Sequence, residues 1–346
     1  MCDAFGILLP TTLTLITTYK CSARCENCCF ECSPNKTEKI PLEVAINHIE
    51  KVHSLYESIK IVVLTGGECF LDFGYLISLI KHINSLGMLS RVVTNAFWAT
   101  SKGTSLKILT ECHAAGLNEI NISTGDEHLE YVPLEYIKNA INSAVELGLT
   151  VVVNIESGKD CIFKVDNFLN DENLKNYISR RDGISPRLSI INGIWMPFTN
   201  QSLMHLPKME QRVFHPCKDR CFNLFNSITI SPDNRLLACC GLPVKYIKEL
   251  NLGNLYKYSI ADLYKSQFED FLKIWLYVDG PYKILSFLEN KLEKSIPELN
   301  CLSHTCFYCA VLFTNGEYLD AAKKYYKEIF SSVLLRYAFH IKTLKL

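Results

Sequence analysis

The chain has 346 residues, 48% of them apolar, 21% charged and 11% aromatic, which excludes a disordered chain and provides for a sizeable core. Lysine plus arginine and aspartate plus glutamate each number 36, so the basic excess that marks a nucleic-acid binder is missing. No apolar run nears the roughly 18 residues that span a bilayer, and the opening MCDAFGILLPTT lacks the marks of a secretory signal, so a cytoplasmic location is expected.

Taken in chain order, Thr11–Thr18 reads as a strand. Pro41–Glu57 reads as a helix with Leu42, Ala45, Ile46, Ile49, Val52 and Tyr56 on one face. Ile59–Thr65 is a continuous apolar strand of the kind covered on both faces. Phe73–Leu86 is a helix striped by Phe73, Leu76, Ile77, Ile80 and Ile83. Strand Leu89–Thr94, helix Ser101–Ala115, strand Glu119–Ser123, helix Pro133–Leu147 and strand Leu149–Ile155 follow. Gly87, Gly116 and Gly148 stand where three of these helices end. A helix over about Phe163–Ser179 and a strand Arg187–Ile191 complete six strand–helix units.

Such a series predicts an α/β fold, a partial (β/α)6 TIM-like barrel over residues 1–194. Trp195–Pro216 reads as a linker, and residues 217–346 as a cysteine-rich, largely helical second domain. That domain opens with a hairpin over Ser227–Ala238 and continues in helices near Ile260–Val278, Tyr282–Glu293 and Tyr318–His340. Chemistry in a parallel barrel belongs at the C-terminal strand ends. There the chain places the loop after strand one, Gly66-Gly67-Glu68 after strand two and Asn95 after strand three. Ser123, Asn154 and the Asn192-Gly193 pair mark the ends of the last three strands.

Sixteen cysteines in a chain with no address to an oxidising compartment point to metal or redox chemistry rather than disulfides. Cys21, Cys25 and Cys28 are spaced to converge on one metal centre, and cubane clusters are held by thiolates. A zinc knuckle or coincidental thiols are the alternative readings. Two glycines followed by a carboxylate at the same rim allow close approach of a ligand and suit an ammonium group.

With these motifs the chain resembles the radical S-adenosylmethionine superfamily over roughly residues 11–193. The resemblance implies that Cys21, Cys25 and Cys28 hold a [4Fe–4S] cluster whose remaining iron is chelated by S-adenosylmethionine. Gly66, Gly67 and Glu68 would line the methionyl amine. Asn95, Ser123, Asn154 and Gly193 would border the rest of the cofactor. Asn27 stands where that family usually has an aromatic residue or histidine, and Ala96 where it usually has glycine.

The tail resembles the SPASM or shorter twitch extension of peptide-modifying members, which implies one auxiliary [4Fe–4S] cluster on Cys221, Cys239, Cys306 and Cys309. Cys217 and Cys301 are rivals for a ligand position, and a structural zinc site is the alternative centre. The strings CENCCFECSP, TGGECFLDF, TNAFWA, DEHLEY, LLACCGLP and CFYCAVLF resemble the epimerases that make epipeptides of the YydF type. That likeness implies inversion of L- to D-residues in a ribosomally made precursor peptide, with a low-potential flavodoxin or ferredoxin as electron donor. A maturase forming thioether or carbon crosslinks is the nearest competitor, and a non-catalytic metal-binding adaptor a distant one. Cys239 and Cys240 are adjacent, and successive residues of an extended segment face opposite ways, so both cannot easily bind one cluster. The likeness makes Cys240 the thiol that returns a hydrogen atom to the peptide. Only about ten residues precede the first strand, too few for an N-terminal leader-binding domain.

Overall fold

The structure is a computed structural model that describes residues 7–157, 161–164, 166–169, 172, 174, 187–194, 220–300 and 304–344. The chain divides into two compact units. One comprises Thr12–Trp195 with Ser231–Asp233, and the other Met1–Thr11, Met196–Ile230 and Asn234–Leu346. The expected linker, Cys217, Cys301 and most of the expected helix over Phe163–Ser179 lie outside the described residues.

The first unit carries six parallel strands, β1 (Thr12–Thr18), β2 (Ile61–Gly66), β3 (Leu89–Thr94), β4 (Glu119–Thr124), β5 (Thr150–Ser157) and β6 (Leu188–Ile194). They pair strictly in chain order, the order of a barrel rather than of a doubly wound sheet. Between them lie α1 (Leu42–Leu55), α2 (Phe73–Ser85), α3 (Lys102–Ala115), α4 (Asp126–Leu129), α5 (Leu134–Glu146) and α6 (Asp166–Leu169).

The periodicity placed the core well, with one shift of face. Ala45, Ile49 and Val52 are buried on α1, whereas α2 buries Tyr75, Leu76, Leu79, Ile80 and Ile83, so Phe73 and Ile77 fall outside its stripe. Strand β2 departs from the expected double cover: Val62 and Leu64 are fully buried, while Ile61 and Val63 are half-buried. One face is sealed by helices and the other stays partly open, as a barrel with a site in its interior requires.

The second unit contains the antiparallel strands β7 (Ser227–Ile230), β8 (Arg235–Leu237) and β9 (Asn251–Asn254). The hairpin turn closes on Asn234 in a left-handed conformation, φ 58°, which asparagine tolerates. Among the described residues five helices follow: α7 (Ile260–Ser266), α8 (Phe271–Leu292), α9 (Thr305–Thr314), α10 (Gly316–Tyr325) and α11 (Phe330–Leu344). Strand β9 and the short α9 were not legible in the sequence pattern. The aromatic-rich core centres on Phe225, stacked on Phe268 at 4.5 Å, with Tyr277 and Tyr337 around it.

Candidate active site

The loop after β1 carries Cys21, Cys25 and Cys28, all half-buried. Burial pushes the Cys21 thiol up to about 11 and raises Cys25 further, the latter with added repulsion from Glu156 and the neighbouring thiols. Cys28 is drawn down to about 6 because the Cys32 side chain and the backbone N–H groups of Cys32 and Phe30 donate to it. The Cys32 N–H lies 3.4 Å from the Cys28 Sγ.

Gly66 and Gly67 have a packing role within the fold. A Cβ on Gly66 would stand 2.3 Å from the Thr18 carbonyl oxygen, and one on Gly67 would stand 2.0 Å from that of Lys20. The Gly67 and Glu68 N–H groups donate to those same carbonyls at 2.7 and 2.9 Å. The glycines therefore let the exit of β2 lie directly against the chain entering the cysteine loop.

Glu68 likewise points inward. It is 1% exposed, and its carboxylate accepts from the Phe70 N–H at 3.0 Å, the Thr94 hydroxyl at 2.9 Å and the Asn95 N–H at 2.8 Å. Burial raises its pKa to about 7 against the pull of those donors. Within the protein this carboxylate is a hub that ties the exits of β2 and β3 together, and its three donors leave acceptor capacity to spare. Asn95 extends that hub to the loop: its amide donates to the Ser22 hydroxyl at 3.0 Å and to the Cys21 Sγ at 3.7 Å. Ala96 adopts φ 62°, the left-handed conformation that a glycine would take without strain.

Ser123 and Asn154 are register partners on β4 and β5. The Asn154 Oδ1 is buried with no hydrogen-bond partner, and it would stand 2.4 Å from a Cβ on Gly193. Sequence reasoning missed the segment just beyond β4. There the Glu127 carboxylate accepts from the Asn27 N–H at 3.0 Å and from the Asn27 side-chain amide, and the Tyr131 hydroxyl donates to the Arg24 carbonyl at 2.8 Å. His128 Nδ1 lies 2.6 Å from a Glu156 oxygen. Burial opposes a charged His128 ring, but the Glu156 carboxylate outweighs it and the pKa rises. The signal was available: DEHLEY begins two residues beyond the C-terminal end of β4, the barrel's site-bearing end.

In the second unit, Cys221, Cys239, Cys306 and Cys309 line one cavity together with Leu224, Gly241, Pro243, Leu250, Leu276 and Pro281. Cys306 and Cys309 are three apart on α9 and so share a face. Gly280 (φ 74°) and Pro281 break α8, and the Cys221 N–H donates to the Leu276 carbonyl at 3.2 Å on this broken stretch. Burial pushes the thiols of Cys221, Cys239 and Cys309 up, and neighbouring thiols add to the rise. Cys239, just beyond β8, is 6% exposed and lines the cavity, whereas its neighbour Cys240 is exposed. Among the described residues no three histidine, cysteine or carboxylate side chains are spaced to hold a single metal ion.

Residues 221–282 match the SPASM family, described as an iron–sulfur cluster-binding domain. The chain shares the fold of the solved structure titled "Native anSMEcpe with bound AdoMet and Cp18Cys peptide", with a TM-score of 0.52, 12% identity, and 96% of this chain and 99% of that one covered. A tagged form of the same anSMEcpe protein, with bound AdoMet, aligns to this chain with a TM-score of 0.53, 11% identity and coverage of 94% and 98%. The chain is also 24% identical to the Bacillus subtilis (strain 168) protein named "Putative peptide biosynthesis protein YydG", over 90% of its own length and 96% of that protein's.

Proposed function

We propose that this chain modifies a ribosomally made peptide by radical chemistry and inverts L-residues to D-residues. Cys21, Cys25 and Cys28 would hold the cluster that binds S-adenosylmethionine, and Cys221, Cys239, Cys306 and Cys309 an auxiliary cluster. The donor sets fit these groups. Four thiols line one cavity, and a cubane cluster takes one thiolate per iron. The unpartnered Asn154 Oδ1 at the barrel rim offers an acceptor to a cofactor hydroxyl or amine.

When bound, the cluster and S-adenosylmethionine supply a radical strong enough to take a hydrogen atom from a peptide Cα. The chain's own part is to hold the peptide, keep water out and return hydrogen to the opposite face. Cys240 is the donor in this reading: its neighbour Cys239 faces the cavity of thiols while Cys240 is exposed, so its S–H is available to a radical. Giving up that hydrogen leaves a sulfur radical on Cys240, reset by one electron and one solvent proton. The opposed facing of Cys239 and Cys240 carries the proposal, and the match to YydG along most of both chains supports a peptide substrate.

The test is anaerobic reaction of the iron-loaded chain with S-adenosylmethionine, a low-potential reductant and candidate precursor peptides drawn from any short reading frame beside its gene. Wild type should yield product of unchanged mass in ordinary water and one added deuterium per inverted residue in deuterated water. Cys240→Ala should retain iron and still form 5′-deoxyadenosine, but yield almost no D-residue. Full epimerisation by Cys240→Ala, or a product lighter by two hydrogens, would defeat the reading.

A further inference from the structure

The cysteine loop is gripped from one side by a short segment that the reaction as proposed leaves unused. Residues 126–131 are themselves fixed at their base. The Asp126 carboxylate accepts from the Ile162 and Phe163 N–H groups at 2.7 and 2.8 Å, and His128 pairs with Glu156 on β5. Gly125, where the segment leaves β4, packs so closely on Glu156 that a Cβ there would meet the Glu156 Cβ at 2.9 Å. From this base two side chains reach the loop. Glu127 takes both donors of Asn27, the residue next to Cys28, and Tyr131 holds the carbonyl of Arg24, the residue next to Cys25. Each contact thus falls one residue from a thiol-bearing position.

We propose that residues 126–131 form a polar clamp that sets the geometry of the cysteine loop, with Glu127 and Tyr131 as positioning residues for Cys25 and Cys28. The physical need is plain. A loop of this kind is short of backbone pairing, and three thiols must be held at once for a centre to be bound firmly. A carboxylate accepting two hydrogen bonds from one residue fixes both its backbone and its side chain, which a single neutral bond does not. The proposal rests on the reading that this loop holds a cluster.

The test uses the full chain, iron-loaded anaerobically, as wild type, Glu127→Ala, Glu127→Gln, Asn27→Ala, the Asn27→Ala/Glu127→Ala pair and Tyr131→Phe. The measurements are the rate of iron loss to a chelator, the electron paramagnetic resonance signal of the reduced protein, and amide hydrogen exchange over residues 21–32 of the iron-free chain. The phase of iron loss that belongs to the loop is the one absent from the Cys21/Cys25/Cys28→Ala chain. Glu127→Ala should speed that phase by roughly tenfold to a hundredfold, the worth of charge-assisted bonds, broaden the loop signal and leave the auxiliary phase unchanged. Glu127→Gln, which keeps one acceptor, should fall between. Tyr131→Phe should speed the phase about fivefold, the worth of one neutral bond. Adding Asn27→Ala to Glu127→Ala should change little more, since the two share one contact. Loop iron lost at the wild-type rate from Glu127→Ala, or both phases accelerated alike, would overturn the clamp. If replacing the three cysteines leaves total iron untouched, the functional reading fails first and takes the clamp's role with it. Exchange in the iron-free loop distinguishes that case, because it reads the contacts whether or not a cluster binds.

Discussion

Cys21, Cys25 and Cys28 come from one short loop, whereas Cys221, Cys239, Cys306 and Cys309 are gathered from the segment before β7, a hairpin end and α9. The first set is held by polar contacts: Asn95 to Ser22, Glu127 to Asn27 and Tyr131 to Arg24. The second is held by apolar packing around Leu224, Leu250, Leu276 and Pro281. A local loop needs outside hydrogen bonds because it has little core of its own. A distributed set needs a packed core because long chain segments must be brought together before any ligand meets another.

The sharpest break of this comparison is to remove the local set. Cys21, Cys25 and Cys28 changed together to alanine should abolish 5′-deoxyadenosine formation and lower bound iron by about half, if each set holds one [4Fe–4S] cluster. Iron assay and chromatography of the nucleoside check both. Cys29 and Cys32 lie outside the triplet's spacing, and alanine at Cys29 should leave cleavage intact. Cys32 differs, since it donates to Cys28, so its replacement should slow cleavage without abolishing it.

Removing iron should separate the sets by stability. A centre that ties Cys221 to Cys309 closes a long loop, worth about 4–5 kcal/mol by chain entropy, against about 2–3 kcal/mol for the short loop. Chelation should therefore destabilise the second unit more than the first, which hydrogen exchange followed unit by unit can resolve. An equal loss in both units would mean that the thiols of the tail do not share one centre.

Glu68→Ala strips three buried donors of their acceptor and should cost on the order of 3 kcal/mol of stability. Thermal unfolding reads this directly, whereas loss of S-adenosylmethionine affinity with unchanged stability would make Glu68 a ligand contact rather than a structural hub. The smallest effect belongs to Ala96, held at φ 62°. Ala96→Gly should relieve strain and raise stability by up to about 1 kcal/mol, partly offset by the freer unfolded chain. A fall in melting temperature would show that the Ala96 methyl contributes more through packing than it costs in strain.

The sequence alone determined the alternation of strands and helices, the glycine-terminated helices and the spacing of the cysteine triplet. These are local: a period of two or of 3.6 and a gap of three or two residues are properties of neighbouring positions. Only the tertiary structure decided that Gly66 and Gly67 accommodate the carbonyls of Thr18 and Lys20, and that Glu68 serves Thr94 and Asn95. It also decided that Glu127 reaches Asn27, and that four distant thiols share one cavity. Each of these joins residues far apart in the chain, and a side chain's partner across such a distance is set by how the strands and helices pack, which no local pattern encodes.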